Sequence, residues 1–202
     1  MTEEDITIKC PSCGKGNLRI RSLLYSVPYF NDLAMFVMEC PECNFNHTDI
    51  FSTESRKPSR WTLFVDDFSL LRSRVVRSSS GTIRIPEFGI DVEPGPGAES
   101  FVSNVEGVLY RVRSGVETAM LFTQTENQNA EGKRVLQKID AALEGKLNFT
   151  LIIEDPVGVS GILPDDLRKV KQEELSLAEA SELRGAPVWL DLLREEYIER
   201  KG

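Results

Sequence analysis

Histidine is almost missing: His47 is the only one in 202 residues. Iron or manganese sites built from two histidines and a carboxylate are therefore excluded by count, and so is any histidine-based metal site beyond the first 52 residues. The chain also has no Ser-His-Asp set, no P-loop and no GxGxxG stretch. A non-enzyme is the expectation. No apolar run approaches the length a membrane-spanning helix needs. The opening Met-Thr-Glu-Glu-Asp-Ile has no apolar signal region, so a soluble, cytoplasmic protein is expected. Basic charge is short too: 24 Lys and Arg stand against 32 Asp and Glu, a net of −8. That balance argues against nonspecific binding to a phosphate backbone, which depends on clustered Lys and Arg.

Cysteine is just as scarce, but its placement is informative. The four cysteines fall in two matched pairs, Cys10-Pro11-Ser12-Cys13 and Cys40-Pro41-Glu42-Cys43, separated by residues 14 to 39. Two thiolates spaced C-x2-C hold one edge of a metal, and a second pair closes the tetrahedron that structural Zn²⁺ takes with four sulfurs. Two disulfides, in any of three pairings, are the bland alternative. They are disfavoured, because nothing in the chain suggests secretion. One structural Zn²⁺ on Cys10, Cys13, Cys40 and Cys43 is expected, in a zinc ribbon. Four thiolates fill the coordination sphere and leave no open position for water or substrate. Gly14 and Asn44, each following a pair, suit a knuckle that needs left-handed backbone. His47 is expected as a solvent-facing strand residue.

Around the knuckles, Leu18 to Tyr25, Leu33 to Glu39 and Asn46 to Phe51 read as strands, and Ser52 to Ser59 as a linker. Further strand runs follow at Trp61 to Val65, Leu70 to Arg77, Thr82 to Ile85 and Phe88 to Val92. After Gly97 the period changes. Ser103-Asn104-Val105-Glu106 reads as a capping box with Ser103 at the N-cap, and Val105, Val108, Leu109, Val112, Val116 and Met120 keep helical spacing. A polar connector, Thr123 to Gln128, leads to a second helix with Val135, Leu136, Ile139 and Leu143 on one side, stopped at Gly145. Phe149 to Ile153 is again a strand and should rejoin the earlier sheet. From about Asp165 the chain is charged, with helical candidates at Ser176 to Arg184 and Pro187 to Glu199.

The resulting expectation is a mainly β protein with an α insertion. Residues 1–52 form the ribbon, 53–164 a β domain with a helical hairpin at about 99–145, and 165–202 a charged, helical extension. Charge is uneven: residues 55–86 hold seven basic against two acidic side chains, and 171–202 five against eight. A basic middle with an acidic end suits a protein partner of complementary charge.

These motifs, in this order, resemble the ZPR-type zinc-finger proteins. The likeness runs from Cys10 to about Ile162 and rests on both knuckles and on Val27-Pro28-Tyr29-Phe30. It continues through Ser73-Arg74-Val75-Val76-Arg77-Ser78, Thr82-Ile83-Arg84-Ile85-Pro86-Glu87, Ser103-Asn104-Val105-Glu106-Gly107 and Glu154-Asp155-Pro156-Val157-Gly158. Two departures are Asn44, where members usually carry Gly, and Val159, where Asn is common. One ribbon-plus-β module is present, as in the archaeal form; eukaryotic members carry two. The resemblance implies a β domain like a double-stranded β-helix carrying a helical hairpin. It also implies binding to translation elongation factor 1-alpha, with a folding-assistance role toward that GTPase.

Physical candidates for the partner surface are Arg72, Arg74, Arg77 and Arg84, which suit acidic groups, together with Asp155. Against them stands the reading of a solvated strand face with local salt bridges, and for aspartates beside Pro or Gly, turn capping. Tyr29 and Phe30 suit an aromatic anchor, or packing of the ribbon on the next domain. A monomer is expected, with no membrane partner. The alternative function is a zinc-ribbon nucleic-acid binder or a transcription or translation accessory protein, resting on Arg19, Arg21 and the aromatics near them.

Overall fold

In the computed structural model, which describes residues 8–15, 18–27, 31–52, 56–95 and 97–187, the strands form three sheets with every pairing antiparallel. The ribbon sheet is β1 (Arg19–Val27), β2 (Asn31–Glu39) and β3 (Asn46–Ser52) in that order. Next come β4 (Ser59–Val65), β5 (Arg74–Arg77), β6 (Thr82–Ile85), β7 (Ile90–Val92) and β8 (Phe101–Asn104). The helices α1 (Val105–Met120) and α2 (Glu126–Leu143) follow. The chain closes with β9 (Phe149–Asp155), β10 (Gly161–Leu163), β11 (Val170–Glu174) and α3 (Leu177–Glu182).

The β domain has a five-stranded sheet ordered β11-β4-β9-β6-β7 and a three-stranded sheet ordered β10-β5-β8. As the sequence order requires, β9 returns after the helices to sit between β4 and β6. Strand alternation builds the core. Trp61, Leu63 and Val65 of β4 and Phe149, Leu151 and Ile153 of β9 point inward, where they join Val75, Val76 and Ile162 from the second sheet. Helix α1 adds Val105, Val108, Leu109 and Val112, and α2 adds Val135, Ile139 and Ala142. Each large apolar side chain so buried contributes about 1.5–3 kcal/mol.

Leu33 and Ile50 of the ribbon belong to this same cluster. Polar contacts tighten the junction. Ser100 N donates to Thr48 O at 2.9 Å, and Asp49 Oδ1 accepts from Ser100 Oγ at 2.8 Å and Ser79 Oγ at 3.1 Å. The ribbon base is thus part of the β-domain core.

Four expectations need correction. The run Leu70 to Arg77 is not one strand: Phe68–Arg72 is a 3₁₀ turn capped by Asp67, which accepts from Ser69 N at 2.7 Å. Leu70 N donates to Asp67 O and Ser73 N to Leu70 O, both at 3.0 Å, three-residue closures that an extended strand cannot make. Similarly, Pro86–Phe88 is a 3₁₀ turn before β7. The N-cap of α1 is Asn104, one residue beyond Ser103, because Ser103 is held opposite Val75 in the β5–β8 ladder. Asn104 Oδ1 accepts from Gly107 N at 2.7 Å. Asn104→Ala should therefore cost about 1 kcal/mol, and Ser103→Ala clearly less, in paired urea melts; the reverse order would restore Ser103 as the cap.

The fourth correction concerns the charged segment from 165. It opens as β11, an edge strand paired with β4 from Val170↔Leu63 to Glu174↔Ser59. Its Lys171, Glu173 and Glu174 are ordinary edge-strand residues, and their composition hid the strand. Only then comes α3, with the capping box between Ser176 and Glu179. The further helical candidate at Pro187 to Glu199 lies, from residue 188 on, outside the described residues.

Candidate functional site: a four-sulfur metal centre

The two knuckles are built alike. Cys10 N donates to Lys15 O at 2.9 Å and Cys40 N to Phe45 O at 2.8 Å, so each loop closes over the same five-residue span. Gly14 has φ +69° and Asn44 φ +58°, the left-handed turn expected at both places. Leu18 is buried with Cys10 and Cys40, and Ile20, Met38 and Phe45 pack on them to shield the sulfurs.

All four Sγ atoms lie within 4.8 Å of one another. Cys10 Sγ is 3.7 Å from Cys43 Sγ, and Cys13 Sγ is 3.8 Å from Cys40 Sγ. Zinc–sulfur bonds of about 2.3 Å in a tetrahedron place sulfurs about 3.8 Å apart, so the cluster has the dimensions of a zinc site. Disulfides would bring paired sulfurs to about 2 Å, and all four cysteines are free. The electrostatics agree. For Cys10, burial pushes the thiol up, but the N–H groups of Cys13 and Ser12 and the neighbouring sulfurs outweigh it, to about 7. For Cys13 the Lys15 N–H favours the thiolate, yet burial and the other three sulfurs raise it to about 11. One thiolate forms readily and the next is resisted; a divalent cation removes that conflict. The protein therefore carries one structural zinc held by Cys10, Cys13, Cys40 and Cys43. His47 lies outside the sulfur cluster, half-buried and stacked on Phe45 with ring centroids 6.3 Å apart.

The structure disperses the other sequence candidates. Arg72 and Arg74 are exposed. Arg84 is engaged internally: its Nε donates to Glu154 Oε2 at 2.7 Å and its Nη1 meets Asp91 at 3.1 Å. The hydrogen bond to Glu154 is the main reason its pKa is raised. Arg60 takes the other oxygen of Glu154 at 2.6 Å, so one carboxylate with 7% of its side chain exposed is clamped between guanidiniums from β4 and β6. Sequence reasoning missed this network, because it depends on β9 returning between those two strands.

Arg77 and Asp155, expected at a partner surface, are instead buried. Arg77 Nε donates to Gly81 O and its Nη1 to Glu99 O, both at 3.0 Å. Asp155 is wholly enclosed and accepts six hydrogen bonds. They come from Ser78 Oγ, Ser80 Oγ, Ser160 Oγ and the N–H groups of Val157, Val159 and Ser160. It is a turn-capping hub that ties the 78–80 loop to the 155–160 loop. Tyr29 and Phe30 lie outside the described residues. What the sequence did not single out is the turn between α1 and α2, where Leu121 and Phe122 are 80% and 77% exposed.

No described helix is long and apolar enough to cross a membrane. Comparison with known families gives two adjoining matches. The ZPR1 zinc-finger domain matches residues 4–58 and the ZPR1 jelly-roll domain residues 56–183. Among relatives, an uncharacterised ZPR1-like protein of Methanocaldococcus jannaschii is 41% identical over 186 residues, 92% of each chain. One from Pyrococcus horikoshii is 37% identical over 182 residues, 88% of this chain and 80% of its own. The zinc finger chaperone zpr1 of Schizosaccharomyces pombe is 27% identical over 168 residues, 79% of this chain but 35% of that longer protein. The paired knuckles, the two-sheet jelly roll and these matches agree, and the chain belongs to the ZPR1 family, with one zinc-finger and jelly-roll module.

Proposed function

We propose that this protein is a non-catalytic binding module whose partner is translation elongation factor 1-alpha, and that it assists the folding of that GTPase. The observation that carries the reading is the apolar pair Leu121–Phe122, held out by two helices whose other faces are anchored in the core. An exposed apolar knob on a rigid support suits a protein surface. The chaperone description of the fission-yeast relative supports the same direction. The filled sulfur shell of the zinc supports a structural metal over a reactive one. Exposed Arg72 and Arg74 supply charge for an acidic partner surface.

Calorimetric titration of the zinc-loaded protein into elongation factor 1-alpha tests this, run with GDP, with a GTP analogue and without nucleotide. Binding that differs with nucleotide state is expected, weakened about tenfold or more by Leu121→Ser with Phe122→Ser. Absence of binding in every state, confirmed by sedimentation, would overturn the reading.

A further inference from the structure

A second site lies away from the sulfurs. Between α1 and the β6–β7 hairpin runs a cleft of about 360 Å³, walled by Ile83, Val112 and Val116, with Arg77, Arg111 and Asp91 also in its lining. Two guanidiniums lie over a single ring: the Arg111 carbon is 4.4 Å and the Arg77 carbon 5.9 Å from the Phe101 centroid. Arg111 makes no ion pair among the described residues. Arg77, 6% exposed, gives its hydrogen bonds to two neutral carbonyls. The acid that acts on it is Asp155, whose oxygens already serve six other donors. Burial, opposed by Asp155 and reinforced by Arg111, lowers the pKa of Arg77. Asp91, which also lines the cleft, is paired with Arg84 at 3.1 Å. A buried cation and a second cation over the same ring, neither in an ion pair among the described residues, form an arrangement an incoming anion stabilises.

We propose that this cleft binds a small amphipathic monocarboxylate, its carboxylate received by Arg111 and Arg77 and its apolar body laid against Ile83, Val112 and Val116. The volume falls in the range of small-molecule pockets. The deep position of Arg77 places half of the anion site beyond reach of a flat protein surface.

The test is calorimetry on the zinc-loaded full chain with octanoate, and with octan-1-ol as the uncharged comparator. Octanoate should bind about tenfold or more tightly than the alcohol, and Arg111→Gln should weaken octanoate several-fold while leaving the alcohol unchanged. Gly115 lines the cleft and has open space where a Cβ would stand. Gly115→Phe should therefore block both ligands while leaving the melting temperature at or above that of the parent, since glycine is the weaker helix former. No octanoate binding up to about 5 mM, equal affinity for acid and alcohol, or binding indifferent to Gly115→Phe would each overturn the proposal. Octanoate silence combined with loss of elongation-factor binding in Gly115→Phe would assign the cleft to a protein segment, and overturns it equally. Loss of factor binding in the Leu121 and Phe122 variants alone bears only on the partner reading.

Discussion

Cys40→Ser is expected to release the zinc and unfold the ribbon. Three sulfurs and a hydroxyl cannot reproduce a four-thiolate site. Metal binding at such sites is folding free energy, on the order of 10 kcal/mol or more. The loss should not stay local. Leu33 and Ile50 sit in the same apolar cluster as the β-domain strands, so the jelly roll loses part of its own cover when the ribbon opens. Zinc content by chelator release should fall from one per chain to none, and the main thermal transition should move down as well. His47→Ala should keep its zinc, since His47 stands apart from the sulfurs. Retained zinc and an unchanged melt in Cys40→Ser would show that the ribbon holds itself without a full sulfur set.

Asp155→Ala should be the most damaging single change in the β domain. Removing the carboxylate strands three backbone N–H groups and three hydroxyls around a wholly enclosed side chain, four of them in buried contacts. Leaving buried donors unpaired costs about 1–3 kcal/mol each where they cannot find other partners. Ser78 and Ser160 can still pair, since their Oγ atoms lie 3.2 Å apart, so a net loss of about 4 kcal/mol is the expected figure. For a chain of this size that is a fall of roughly 10 °C in melting temperature. Asp155→Asn keeps the shape and one acceptor oxygen but turns an amide toward donors, and should fall between. A loss below about 1 kcal/mol in calorimetry of Asp155→Ala would mean that the two loops are tied together elsewhere.

Both residues were visible before the fold, but not with the same meaning. The cysteines needed no tertiary knowledge: a pair at C-x2-C can reach one metal edge through local geometry alone, and two such pairs complete the shell. Gly14 and Asn44 were legible for the same reason, because backbone handedness is a property of single residues. Helical faces on α1 and α2 were legible because Val105 to Met120 and Val135 to Leu143 repeat within a few turns. Asp155 was marked as a candidate contact, with capping as the alternative. Only the approach of Ser78 and Ser80, more than 70 positions earlier, decided for capping.

The sequence by itself determined what short-range chemistry controls: one zinc site, its knuckles, the helical hairpin and the alternating core strands. The tertiary structure decided where each charge sits. Arg72, Arg74, Arg77 and Arg84 look alike along the chain, yet two are exposed, one is clamped on Glu154 and one is buried beside Phe101. It also turned Val170–Glu174 into a strand, although lysine, glutamine and glutamate favour helix. Local preference of a few tenths of a kcal/mol per residue yields to a ladder of backbone hydrogen bonds offered by the open edge of β4. Such an edge exists only once the rest of the sheet has formed.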